Sequence, residues 1–397
     1  MPQITPPKYV RQILFGLQAR GQLAYLVGGC VRDVIMDIQP QDWDICTSAL
    51  PEEVMELFPG SRPTGLQHGT VTVIIGSKSA EVTTFRTEGD YRDHRRPDSV
   101  TFVSDLITDL SRRDFTMNAI ALSADGMLAD PFDGISDINK RCIRCVGNPK
   151  IRFTEDALRM FRALRFSARL GFTIEYDTLS AIEECAPLAS ELAPERVRDE
   201  VEKILLTMRP ETMSAAISFG LMGNYISGTG WKMPNFADIA GMPRKPLSRW
   251  VAFSIMLRKY GYIPSASDFL TRLRLDGRTI RCCTDAEVLL SHEPPTDSLG
   301  WKKMLNRYGV DTVTCAVQAY AVIMGIDCEK ELRAVLKSGE CFSLKHLAVT
   351  GDDLLSLGLN GPELGEMLKF LLDYVMEYPD NNKREILLEL AKYSEES

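Results

Sequence analysis

The feature that most constrains this chain is Gly28-Gly29-Cys30-Val31-Arg32-Asp33, followed closely by Asp42-Trp43-Asp44. The apolar stretch Ala24-Tyr25-Leu26-Val27 reads as a buried strand. Gly28 and Gly29 then let the backbone turn sharply and approach a ligand closely. Val31 to Met36 reads as the start of a helix, where amide N–H groups face an anion. Asp42 and Asp44 alternate with Trp43 and Ile45. On a strand, both carboxylates would point to one face and could share a hard cation. Each half alone has a plain reading, a tight turn or a solvated strand edge. In this order and spacing the two predict a site for a triphosphate and its metal.

A chain of 397 residues is too long for one core, so roughly two to four domains are expected. The N-terminus lacks the basic-then-apolar pattern of a signal peptide, and no apolar run approaches the ~20 residues that span a bilayer. The ten cysteines are scattered and Cys282-Cys283 are adjacent, which fits reduced thiols and a cytoplasmic location. Cys142 and Cys145 form a CxxC with no second pair or nearby His, so a strand with buried thiols is expected there, not zinc. A net charge of −8 argues against nonspecific nucleic-acid binding. Locally the balance reverses: Lys140 to Arg169 holds nine Lys or Arg against only two acids, Glu155 and Asp156. A basic stripe on an acidic protein suits one specific phosphate-rich ligand.

Residues 1–139 alternate strand and helix signals. Strands are expected at Ala24–Val27, Trp43–Cys46, Thr70–Ile75, Ala80–Phe85 and Ser99–Phe102, and helices at Tyr9–Ala19, Val31–Met36 and Glu52–Leu57. Met117–Leu122 is a further buried segment, and Asp130-Pro131-Phe132-Asp133-Gly134 a closing turn. The fold class is α+β: a small mixed α/β domain followed, after residue 150, by an all-helical remainder. No fixed-period repeat is present. Nothing in 211–340 points to chemistry.

Three further segments carry chemical content. In Ser111-Arg112-Arg113-Asp114-Phe115-Thr116-Met117-Asn118-Ala119, Arg113 could pair with a phosphate and Asp114 could accept from a ribose hydroxyl; a charged loop is the plain alternative. A helix is expected to open at Thr154 as N-cap, with Glu155 and Asp156 at its positive end. Along it Arg159, Arg162 and Arg165 recur every third residue, while Leu158, Phe161, Leu164 and Ala168 form an apolar stripe. Arg165 falls within that stripe and needs an anionic partner. Glu155 and Asp156 cannot neutralise three arginines, which favours a bound ligand over ion pairs on an exposed helix. Asp156 with Arg159 also suits base recognition. An aspartate accepts and a guanidinium donates, matching the amine and ring nitrogen of adenine and cytosine and opposing guanine and uracil. Finally, Glu88–Arg96 is a charged, Gly-containing stretch, either a solvated loop or a mobile lever near the ligand.

The order of these motifs resembles the class II tRNA nucleotidyltransferases, the bacterial CCA-adding enzymes of the polymerase-β-like superfamily. The resemblance rests on Gly28 to Asp33, Asp42-Trp43-Asp44, Arg112 to Ala119 and Glu155-Asp156-Ala157-Leu158-Arg159. Pro194-Glu195-Arg196 is similar to the family's neck motif. Gly351-Asp352-Asp353-Leu354-Leu355 and Gly361-Pro362-Glu363-Leu364-Gly365 are similar to its tRNA-contacting tail. The resemblance covers nearly the whole chain. It implies a seahorse arrangement, with a head at 1–139, a neck at 140–210, a body at 211–310 and a tail at 311–397. It implies template-independent addition of CCA to the 3′ end of tRNA from CTP and ATP, with Asp42 and Asp44 catalytic and holding a pair of Mg²⁺ ions. It places Gly29 and Arg32 against the triphosphate, Arg113 near the ribose, Asp156 and Arg159 against the base, and Arg162 and Arg165 around the pocket. Glu81 is a possible third carboxylate. In the family, a loop equivalent to Glu88–Arg96 separates enzymes that add A from those that stop at CC. A monomer is expected, with no membrane partner. The runner-up is an enzyme adding only the terminal A. A poly(A) polymerase would carry a more basic surface, and a noncatalytic tRNA-binding protein has no need of both Asp42 and Asp44.

Overall fold

The structure is a computed structural model that describes residues 5–88 and 100–393. It divides into two compact units, Met1–Asn224 and Tyr225–Ser397. Most of the stretch expected to act as a lever, 89–96, lies outside the described residues.

The first unit is built on a mixed sheet whose strands are β1 (Ala24–Val27), β2 (Asp44–Thr47), β3 (Arg62–Gly65), β4 (Thr70–Ile75) and β5 (Lys78–Thr84), with β8 (Ala121–Ser123) and β9 (Leu128–Ala129). A separate pair joins β6 (Arg86–Glu88) to β7 (Val100–Phe102). The sheet runs in the order β3-β4-β5-β2-β1-β8-β9. Only the β2–β5 pairing is parallel, with Asp44 opposite Glu81; β1 is antiparallel to β2 and places Val27 opposite Asp44. That register sets the end of the glycine turn beside the first acidic residue of β2.

Helices α1 (Lys8–Ala19) and α3 (Pro51–Leu57) pack on the sheet and on each other. Val10, Ile13, Leu14 and Leu17 of α1 are buried, the period-3.6 stripe of an amphipathic helix. The short α2 (Gly29–Ile35) follows β1 directly. A second apolar cluster joins Val27, Cys46, Phe85, Leu110, Ala119, Ala121 and Val146. It gathers the ends of β1 and β2, helix α4 (Leu106–Ser111) and the Met117–Leu122 segment, whose residues are all buried. The turn expected at 130–134 is present at residues 131–132 and leads into helix α5 (Gly134–Asn139), where Asp130 accepts hydrogen bonds from the Gly134 and Ile135 amides.

Beyond residue 140 the first unit is nearly all helical. A two-residue parallel pair, β10 (Cys142–Ile143) and β11 (Thr173–Ile174), precedes and follows two successive helices, α6 (Pro149–Glu155) and α7 (Leu158–Leu170). Burial raises the Cys145 thiol to about 12, the inert state expected of a structural cysteine. The helix expected to open at Thr154 opens earlier. Asn148 caps it through the Lys150 and Ile151 amides, with Pro149 at its first position. Thr154 instead bonds back to the Lys150 carbonyl. The chain breaks at Asp156, in extended conformation, and α7 starts afresh. Helices α8 (Tyr176–Cys185) and α9 (Pro194–Leu205) pack on α6 and α7 respectively.

The second unit is helical throughout its described residues. Helix Pro246–Lys259 is buried on nearly all sides, and its Phe253 packs against Phe236, Trp250 and Phe269. Arg249 is 1% exposed and donates to the carbonyls of Ile239, Ala240 and Pro243. A separate cluster of Leu354, Leu371, Val375, Leu387 and Ala391 forms the core of the final segment. No helix among the described residues is long and apolar enough to cross a membrane.

A Cβ on Gly134 would sit 2.2 Å from the Thr116 carbonyl oxygen and 2.9 Å from an Ile120 side-chain carbon. Backbone must then move in the segment that carries Asp114 and Asn118. Gly134→Ala is therefore expected to destabilise the first unit by about 2 kcal/mol, read as a lower urea midpoint at unchanged slope. An unchanged midpoint would show that the turn relaxes freely.

Candidate active site

Gly28 has φ +76°, the region where only glycine is at ease. A Cβ there would lie 3.4 Å from Arg113 Nη1 and 3.7 Å from Asp44 Oδ2. The glycine turn thus brings backbone against a cation and a carboxylate together. Burial alternates along the acidic segment, with Asp42 and Asp44 exposed and Trp43 and Ile45 buried, as the pattern predicted. Trp43 is 4% exposed; the strand itself begins only at Asp44, and Asp42 lies in the bend that precedes it. Desolvation, then the charges of Glu81 and Asp42, push the Asp44 carboxyl above its ordinary value, and Arg113 partly offsets them. A carboxylate pressed upward by neighbouring carboxylates is one that a cation would relieve. Among the described residues no three His, Cys, Asp or Glu side chains close into a metal cage. That is compatible with Mg²⁺, commonly held by one or two carboxylates and completed by substrate phosphates.

Asp44 opens onto a cleft of about 410 Å³ in the first unit. Its lining includes Gly29, Arg32, Asp44, Arg113, Asp156, Arg159, Arg162 and Arg165, eight of the nine site residues expected from sequence; Asp42 is not in the lining. Eight arginines face three aspartates across it. Such a cleft is strongly anion-attracting.

The arginines are not left to a ligand. Arg162 donates to Asp114 Oδ2 at 2.8 and 2.5 Å. Burial raises the Asp114 carboxyl, but Arg162 and the Asn118 amide more than offset that and hold it at about 2. Arg159 pairs with Glu155 at 2.6 Å and donates to the carbonyls of Arg152 and Arg112. Arg165 Nε lies 2.6 Å from Glu200 Oε2 of α9. Both atoms are buried without a hydrogen-bond partner, so this is a charge contact at a poor angle. Arg32, 2% exposed, is clamped by Asp33 and by Asn118 at 2.8 Å. The expectation that the row on α7 lacks enough protein carboxylates is therefore corrected. Asp114 and Glu200 reach it from other elements, out of sight of a local charge count.

Asp156, expected to read the base together with Arg159, has protein partners of its own. Its Oδ2 accepts from Arg196 at 2.9 Å and its Oδ1 from the Leu158 amide at 3.1 Å. The break between α6 and α7 turns Asp156 toward α9, while Arg159 turns back to Glu155. Both still line the same cleft. Sequence reasoning also missed Phe166. Its ring lies under the guanidinium carbons of Arg165, Arg32 and Arg162 at 4.3, 5.3 and 5.6 Å, a cation–π centre for the cluster. Arg196 stood in a noted motif without a role, and Asn118 likewise. Asp109 is legible in hindsight from its i,i+3 and i,i+4 spacing to Arg112 and Arg113.

This geometry has known relatives. Residues 24–144 match the poly A polymerase head domain, and residues 171–226 match a probable RNA- and SrmB-binding site of polymerase A. A CCA-adding enzyme of Geobacillus sp. is 39% identical over 386 residues, 94% of this chain and 93% of the relative. One of Levilactobacillus brevis is 37% identical over 368 residues, 90% of each. The crystal structure of the Bacillus stearothermophilus CCA-adding enzyme in complex with CTP superposes with a TM-score of 0.79 at 32% identity, covering 98% of this chain and 97% of that one. A Thermotoga maritima CCA-adding enzyme complexed with tRNA shares the fold, with a TM-score of 0.65 at 21% identity over 98% and 97% of the two chains. With a glycine turn beside an acidic strand, an arginine-lined cleft behind it and full-length similarity of this degree, the chain belongs to the family of CCA-adding enzymes, tRNA nucleotidyltransferases with a poly A polymerase-type head.

Proposed function

We propose that the chain adds C, C and A to the 3′ end of tRNA in the cleft that Asp44 opens onto, using CTP and ATP. The observation that carries this is the convergence of the acidic strand and the arginine cluster on one cavity. The tRNA 3′-hydroxyl attacks the α-phosphate, a P–O bond forms and pyrophosphate leaves. Asp42 and Asp44 would hold divalent metal, Mg²⁺ in our reading, with Glu81 adjacent. When bound, such ions supply activation of the hydroxyl and neutralisation of the leaving pyrophosphate. The chain's own contribution is placement. The Gly28–Gly29 turn lets phosphates approach the backbone, Arg113 offers a cation beside Asp44, and Arg32 braces α2 against Asn118. We keep 1–139 as the head, 140–210 as the neck, 211–310 as the body and 311–397 as the tail.

Base choice falls to Asp156 and Arg159. Two of the roughly four lone-pair positions of Asp156 are filled by Leu158 and Arg196. An amine of cytosine or adenine can take another, with Arg159 donating to the ring nitrogen. Guanine and uracil place a carbonyl against Asp156 and leave buried groups unpaired. Arg162 and Arg165, already paired with carboxylates, form the wall of the pocket with Phe166. Addition of only the terminal A is not favoured, since the relatives of comparable length are CCA-adding enzymes. The test is incubation of tRNA lacking CCA with CTP and ATP. A product longer by CCA is expected. Failure to extend the bare discriminator end, with addition to tRNA ending in CC, would support the A-only reading instead.

Asp44→Ala is expected to abolish addition while the protein stays folded. Activity retained within about tenfold, roughly 1.4 kcal/mol of barrier, would contradict the metal assignment. Asp156→Asn presents a donor where the aspartate accepts. It is expected to lower the preference for CTP over UTP by roughly tenfold or more; selectivity unchanged at a lower rate would make Asp156 structural.

A further inference from the structure

Asp109 sits on α4 and is fully buried, behind the residues that line the cleft. One oxygen accepts from Arg112 Nε and Nη2 at 3.0 and 2.8 Å and from the Arg86 amide at 3.3 Å. The other accepts from Arg113 Nη2 at 3.2 Å. A single carboxylate therefore serves two consecutive arginines and ties α4 to the start of β6. Its two arginines outweigh the cost of burial and keep it ionised.

Arg113 is the informative partner. Its Nη2 is held by Asp109, while its Nη1 and Asp44 Oδ2 flank the same point on Gly28. Among the described residues, no ion pair joins Arg113 to Asp44, although the charge of Arg113 is felt there. The Arg113 Nε is buried without a hydrogen-bond partner. A guanidinium so placed, if released, has two other carboxylates within electrostatic reach, Asp114 and, across Gly28, Asp44. A closed Arg113–Asp44 pair would occupy the oxygens that a divalent cation needs and cancel the charge that attracts it.

We propose that Asp109 is a positioning residue that holds Arg113 off Asp44, so that Asp44 stays open to metal and Arg113 stays open to phosphate. The proposal rests on Asp44 being a metal ligand. It assigns Asp109 no contact with substrate. Asp109→Asn keeps the shape but loses the charge that anchors Arg113.

The test is Mn²⁺ binding to the full-length protein without nucleotide, followed by the electron paramagnetic resonance signal of the free ion. Asp44→Ala comes first. Loss of binding in that variant supports the metal reading, and unchanged binding would remove the basis of the proposal independently of Asp109. Asp109→Asn is then expected to weaken Mn²⁺ binding roughly tenfold, and the double variant D109N/R113M to recover to within about threefold of wild type, because the competing cation is gone. Unchanged affinity in Asp109→Asn, or a double variant as weak as the single one, would overturn the proposal. Arg113→Met alone keeps Asp109 paired with Arg112 and tests the idea even if Asp109→Asn does not fold. It is expected to bind Mn²⁺ at least as tightly as wild type, and weaker binding would contradict the proposal.

Discussion

The cleft depends on matching its buried arginines to protein carboxylates, some from the same helix and others brought in from a different element. Eight arginines line one cavity, and unpaired they would repel one another in a poorly solvated space. Asp114, Glu155 and Glu200 meet Arg162, Arg159 and Arg165 in turn. Asp33 and Asp109 meet Arg32 and the Arg112–Arg113 pair. Removing one partner of a buried pair typically costs about 3–5 kcal/mol, because the other is left charged and undercompensated. The pairs thus bind the sheet-bearing part of the first unit to its helices: Asp114 precedes Phe115 in the head motif while Arg162 lies on α7. Phe166 presents its ring to three of these guanidinium groups, an apolar and weakly attractive contact common to all three.

That arrangement divides the labour of the site. The end of β1 and the start of β2 supply sharp backbone and acidic oxygens, suited to phosphate and metal. The break between α6 and α7 supplies Asp156 and Arg159, each already oriented by a neighbour, Arg196 and Glu155 respectively. Groups fixed before a ligand arrives lose little freedom on binding it, which favours discrimination by hydrogen-bond polarity over mere size.

Local sequence carried much of this. Ala24–Val27 and Thr70–Ile75 are strands with the expected bounds, because apolar runs flanked by glycine leave little choice. The alternation at Asp42 to Ile45 is seen directly in burial. The helix at Thr154 was misplaced because a threonine before two acids looks like a cap, whereas Asn148-Pro149 is the stronger start. Arg165 was correctly read as needing an anion, but its partner Glu200 lies in another helix, and only the packing of α7 on α9 brings the two together. The protein partners of Asp156 and Arg159 are hidden for a related reason: a helix read as continuous conceals the break at Asp156 that turns it toward Arg196 of α9 while Arg159 reaches back to Glu155. Short strands such as β9, with two residues, carry too little pattern to be read at all.

The central claim is that the base is read by a preformed pair while the arginine wall stays tied to protein carboxylates. Crystal structures of this protein with CTP and with ATP test it most directly. The account predicts Asp156 within hydrogen-bond distance of the exocyclic amine and Arg159 of the adjacent ring nitrogen in both complexes, with the Arg162–Asp114 and Arg165–Glu200 pairs intact. A base held by other side chains, or arginines that leave Asp114 and Glu200 to grip the phosphates, would contradict it.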